Sequence, residues 1–139
     1  MAQVRYGQPR RLNVVTFVLL LGVLAVAYWF WRFFPAYFDG WNVDHVLRES
    51  ASQVYKVVRI PEPARTRRLK EIVDQCRANV IKMGNVTDPN LLVNLNLDGD
   101  KAMMSADYHV VITHPYTPRT TTLHFQKQVT TSVAKVEWE

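Results

Sequence analysis

The chain has 139 residues, 48% of them hydrophobic and 21% charged, with five Gly, seven Pro and a single Cys. That size holds one modest domain; the lone Cys76 excludes a disulfide scaffold, and the apolar content excludes a disordered chain. The formal net charge of +5 is unevenly placed: residues 1–35 carry Arg5, Arg10, Arg11 and Arg32 with no acid, and bases and acids nearly balance beyond them. A general phosphate-binding surface on the folded part is therefore not implied.

From Leu12 to Trp31 there are twenty consecutive uncharged residues. A helix rising ~1.5 Å per residue carries such a run across a ~30 Å hydrocarbon layer, which predicts a membrane anchor over 12–34 behind a basic tail over 1–11. Only Asn13 and Thr16 interrupt the run, so it lacks the polar face of a soluble surface helix. A cleaved signal peptide competes, because Ala25-Val26-Ala27 has the small-x-small form of a cleavage site. The apolar run continues past it through Tyr28, Trp29, Phe30 and Trp31, as a retained anchor does. Arg5, Arg10 and Arg11 before the anchor predict a cytoplasmic N-terminus, with residues 35–139 outside, which in a bacterium means an inner-membrane protein with a periplasmic domain.

Nine of the sixteen aromatic residues fall between Tyr28 and Trp41. Rings gather at membrane boundaries, and an interfacial belt is the plain reading. The sharper reading is a partner or lipid interface made by Trp29, Trp31, Phe33, Phe34, Tyr37 and Trp41.

Pro35 marks the expected exit of the anchor. Val43, Val46, Leu47, Val54, Tyr55 and Val58 then recur at helical spacing and predict an amphipathic helix over 42–58. Ile60-Pro61-Glu62-Pro63 breaks it. A second helix is predicted over 64–83, burying Leu69, Ile72, Val73, Cys76, Val80 and Met83, with Gly84 as its stop. Its Arg65 to Lys70 cluster reads as a solvated face, or as a surface for anionic lipid or a partner.

Beyond Pro89 the period changes to two. Leu91, Val93, Leu95 and Leu97 share one face of a first strand, and Asp98-Gly99-Asp100-Lys101 has hairpin-turn chemistry. Ala102, Met104, Ala106, Tyr108, Val110 and Ile112 share one face of a second strand. Leu123, Phe125 and Val129 continue the pattern in a third, but Val136 and Trp138 have the opposite parity, which predicts a bulge or bend between Val129 and Lys135. The expected fold is α+β: a transmembrane helix, then two amphipathic helices packed on a three-stranded antiparallel sheet.

Asn94-x-Asn96-x-Asp98-Gly99-Asp100 imitates the start of a calcium loop, but Ser105 stands where a bidentate Glu is required, so a hairpin is the better reading. If Thr113 pairs with Thr120, His109 faces His124 and Asp107 faces Gln126 on the outer sheet face. Two imidazoles and a carboxylate are candidate ligands for a transition metal, although two His fall short of a closed site. No nucleophile motif, phosphate loop, CxxC pair or HExxH helix is present, and neither an enzyme nor a bound cofactor is expected. Asn85-Val86-Thr87 matches a glycosylation sequon, which only a eukaryotic secretory host would use. The proline-stiffened loop over 114–119 offers Tyr116 and Arg119 for recognition.

Phe34-Pro35-x-Tyr37, Val43 with Val46-Leu47, the helix carrying Leu69 to Ile72 and the strand centred on Tyr108-His109-Val110 resemble a family of short, uncharacterised bacterial bitopic membrane proteins with a pilin-like anchor. The resemblance implies the architecture of an anchor and a small extracytoplasmic domain. The anchor is also similar to that of type IV pilins, which carry a Glu at the fifth position after a processing glycine; here Leu12 holds that position after Gly7. Three functions are thereby in view: an accessory subunit of a larger membrane complex, a pilin-like component of a fibre or secretion apparatus, and a periplasmic sensor using the sheet face around His109 and His124.

Overall fold

The structure, a computed structural model, describes residues 13–134. Helix α1 (Val14–Val57) is followed by α2 (Ala64–Met83) and by strands β1 (Leu92–Asp98), β2 (Lys101–Thr113) and β3 (Thr120–Ser132). The strands form an antiparallel sheet in the order β1-β2-β3. The α+β class and the helices-then-sheet order are as expected, but the described chain holds two helices rather than an anchor plus two more. The predicted anchor and first amphipathic helix are one rod of 44 residues that passes through Pro35.

The break expected at Pro35 does not occur. A proline removes one amide donor and disfavours a helical residue before it, but neither effect ends a helix whose following turns are held by packing. Here the turns after Pro35 are packed: Ala36, Gly40, Val43, Leu47, Ser50 and Val54 are all buried. Their alternating spacing of four and three makes one stripe along α1 that faces the sheet and α2.

The domain is built along that stripe. Tyr108 stacks on Phe125, centroids 5.5 Å apart, and an added Cβ at Gly40 would lie 3.5 Å from the Tyr108 hydroxyl. The sheet therefore rests directly on a small-residue stretch of the helix. β2 has 13 residues, ~41 Å of strand, and packs against α1.

Helix α2 occupies the predicted range. Glu62 caps its start, accepting from the Thr66 amide at 3.3 Å and the Thr66 hydroxyl at 2.8 Å, and these bonds hold its carboxyl below the usual range. Ile72, Cys76 and Val80 are buried as expected, whereas Met83 is 52% exposed because the helix ends as it leaves the core. The stop differs in mechanism from the glycine cap that was expected. Gly84 keeps an ordinary helical φ of −85°, and Asn85 adopts the left-handed conformation with φ 50°. Glycine is required at 84 by contact: an added Cβ would fall 2.5 Å from a Val43 methyl.

In the sheet, Ala102, Met104, Ala106 and Tyr108 are fully buried and Ile112 nearly so, on the predicted face. The turn at 98–101 closes with Gly99 at φ 54°, a conformation that suits glycine. Pairing of β2 with β3 is continuous from Thr113↔Thr120 to Lys101↔Ser132, so no bulge interrupts β3 up to Ser132. Val136 and Trp138, on which that expectation rested, lie outside the described residues, as do Arg5, Arg10, Arg11 and Leu12.

Candidate functional site

The residues of α1 from Val14 to Phe30 are all exposed. The most apolar stretch of the helix is long and apolar enough to cross a membrane and is 0% buried, unlike the core helix of a soluble protein.

The predicted aromatic residues divide between two faces of this rod. Trp31, Phe34 and Trp41 lie on the side of α1 opposite the buried stripe, joined by Phe38 at the same three-four spacing. Trp31 is 79% and Trp41 73% exposed. Phe30, Phe34 and Phe38 stack in series, with centroids 4.6 and 5.9 Å apart. The stripe continues towards the N-terminus through Ala27, Leu24 and Leu20, all exposed. Trp29 and Phe33 stack together on another side, and Tyr37 meets Phe125 of β3 edge-on at 5.7 Å. Phe38 was not among the predicted interface residues; its 31-34-38-41 spacing was legible, but the helix carrying it was expected to stop at Pro35.

The β2–β3 loop turns back along the helix. The Tyr28 hydroxyl and His114 Nδ1 are hydrogen-bonded at 3.1 Å, and His114 Nε2 is 2.9 Å from the Thr121 hydroxyl. This ties the loop to a residue inside the long uncharged run. Tyr116, at its tip, is 94% exposed, and Arg119 is exposed beside it.

A groove of about 740 Å³ opens between α1 and β2 at the level of Phe30 to Asp39. Arg32, Pro35 and Asp39 form its helix wall, Val110 to Thr113 its sheet wall, and Asn85 and Thr87 its outer end. Pro35 has no amide hydrogen, so the Trp31 carbonyl has lost its usual helical donor, and both residues line the groove. Arg32 Nε is buried without a hydrogen-bond partner among the described residues. Asp39 Oδ2 accepts from the Asn85 side-chain Nδ2 at a long 3.4 Å.

The sheet wall is an open edge. β1 begins opposite Asp107, and beyond it the His109 amide donates instead to Asp88 Oδ2 at 2.6 Å. Strand alternation puts the amide and carbonyl of Val111 and Thr113 on that same edge, with no hydrogen bond to them among the described residues. Neither Arg32, Asp39 nor this edge was singled out from the sequence, because the groove joins segments some eighty residues apart in the chain.

The outer sheet face has the predicted register. His109 faces His124 with rings stacked 4.7 Å apart, and Asp107 faces Gln126. Each imidazole is engaged by a different carboxylate: His124 Nε2 lies 2.6 Å from Asp107 and His109 Nδ1 3.2 Å from Asp88. No group of three or more metal-ligating side chains converges among the described residues. Asp88 also accepts from the Asn90 and His109 amides, and these bonds hold its carboxyl below the usual range. Cys76 is fully buried and burial pushes its thiol pKa up, which leaves it a packing residue.

No known protein family, curated protein or solved structure matches the chain.

Proposed function

We propose that this protein is a non-enzymatic, single-pass accessory subunit of a larger membrane protein complex. The N-terminal half of α1 is its anchor in the inner membrane, with the N-terminus cytoplasmic and the α+β domain periplasmic. The observation that supports this most is the exposed aromatic stripe on the back of α1. Trp41 lies ten residues beyond Trp31, ~15 Å along the axis, whereas the headgroup layer adds only about 5–7 Å to each side of the hydrocarbon. An untilted helix that ends its span near Trp31 therefore lifts Phe38 and Trp41 above the lipid. Large rings in line with a membrane-embedded seam, on a rod held rigid by the domain behind it, suit the packing of a neighbouring subunit's helix.

The test is the native mass and composition of the full-length protein extracted from its own membrane in mild detergent, compared with a Phe38→Ser/Trp41→Ser variant. A defined assembly containing other subunits, lost in the variant, is the expected result. A lone 16.1 kDa chain in its detergent belt would refute the reading. Multiples of this chain alone would replace it with a pilin-like assembly.

A further inference from the structure

We propose that the groove between α1 and the open edge of β2 binds the headgroup of a phospholipid carrying both a phosphate and a primary ammonium. The inference rests on the reading of α1 as a membrane anchor. It adds a lipid site that adjoins the aromatic stripe and shares Trp31 and Phe34 with it.

The groove has two charged ends in a defined order. Arg32, at the close of the uncharged run, lies where lipid phosphates sit, and its buried Nε has no partner among the described residues. A buried donor left without an acceptor is costly, and a phosphate oxygen is the strong acceptor available at that depth. The Val111 and Thr113 amides on the facing wall add neutral donors. Asp39, also in the groove, is seven residues further along α1, ~10 Å farther from the anchor on a similar azimuth. Asp39 forms no salt bridge among the described residues. Cation near the hydrocarbon and anion farther out is the complement of a headgroup whose phosphate is joined to glycerol and whose ammonium extends beyond it.

The remaining walls fit the same occupant. Phe30, Phe34 and Ile112 provide apolar surface for the glycerol and the first acyl carbons. The edge carbonyls of Val111 and Thr113 can accept from a primary ammonium, which has three donors, whereas a quaternary ammonium has none. A purely anionic headgroup would answer Arg32 but leave Asp39 facing like charge. An added peptide strand is disfavoured because Asp88 already occupies the His109 amide. Only Val111 and Thr113 remain on that edge, well short of the usual strand of ~5–6 residues.

The test uses the full-length protein, delipidated in mild detergent and titrated with phosphatidylethanolamine, phosphatidylglycerol or phosphatidylcholine, with bound lipids counted by native mass spectrometry. One phosphatidylethanolamine per chain is expected, held roughly fivefold more tightly than the other two lipids. Asp39→Asn should abolish that preference while retaining phosphatidylglycerol binding. Arg32→Gln should weaken both by about tenfold, with Arg32→Lys intermediate. Thermal unfolding of each variant separates a lost site from a lost fold. Equal binding of the three lipids by the wild type, or an Arg32→Gln variant with unchanged binding, overturns the proposal. A photo-crosslinker placed at Val111 that captures a protein segment in cells instead of lipid also overturns it. Vesicle flotation distinguishes the two readings: a protein that inserts but shows no lipid preference refutes the site alone, and one that does not insert refutes the anchor and the site together.

Discussion

Replacing Gly84 and Gly40 by alanine should have opposite effects on stability. At Gly84 the new Cβ would stand 2.5 Å from a Val43 methyl and 2.7 Å from the Val80 carbonyl oxygen. Carbon atoms in good contact are ~3.5–4.0 Å apart, so α1 and α2 must separate by about 1 Å where they join. Overpacking of this kind costs about 1–3 kcal/mol. The backbone at Gly84 is ordinary, with φ −85°, so the whole effect is contact. At Gly40 the nearest atoms would be 3.5, 3.6 and 3.9 Å away, all ordinary contacts. Alanine there removes the helix penalty of glycine, about 0.8–1.0 kcal/mol, at little steric expense. In thermal unfolding of the full-length protein followed by circular dichroism, Gly84→Ala should lower Tm by roughly 5–10 °C and Gly40→Ala should raise it by a few degrees. A Gly84→Ala protein as stable as the wild type would refute the close approach of α2 to Val43. Loss of stability in Gly40→Ala would mean that the sheet lies closer to α1 than described.

Further outcomes concern Tyr108, Asp88 and Cys76. Tyr108 carries a buried hydroxyl with no protein partner among the described residues, so Tyr108→Phe should stabilise the fold by about 1 kcal/mol in denaturant unfolding; destabilisation would show that the hydroxyl is satisfied. Burial, with a smaller contribution from the Asp39 carboxylate, pushes the Tyr108 pKa up to about 12. The folded state therefore holds this proton more tightly, and its contribution to stability, complete below an unfolded pKa of ~10, should fall between pH ~10 and about 12 and be absent from that window in Tyr108→Phe. Asp88 has the opposite sign. Its carboxyl is lowered by the Asn90 and His109 amides, so its stabilisation is present above an unfolded pKa of ~3.9 and is lost as pH falls through the lower folded value. An Asp88→Asn variant should be less stable at neutral pH and lack that acid-limb loss; an unchanged acid limb would refute the assignment. Cys76 should resist alkylation in the native protein and react only on unfolding, and rapid labelling under native conditions would contradict its burial.

Periodicity made most of the elements legible. The alternation of Ala102, Met104, Ala106 and Tyr108 defined both the second strand and its buried face, because side chains on a strand alternate strictly. The Thr113 to Thr120 pairing then set His109 opposite His124. Ile72, Cys76 and Val80 were recognisable as the buried stripe of α2 for the corresponding helical reason. Pro35 misled: its local preference argues for a boundary, and packing of the turns beyond it overrides that preference. The consequence reaches the functional surface, since a break there would have divided Trp31 and Phe34 from Phe38 and Trp41.

A long uncharged helix, a second amphipathic helix, three strands and a boundary rich in rings are all written in the spacing of neighbouring residues. Packing in three dimensions makes α1 a single rod, requires a glycine at 84 beside Val43, returns His114 to Tyr28, and places Arg32 and Asp39 in one groove with the open edge of β2. Those relations depend on which distant surfaces fit against one another, and no local period encodes that fit.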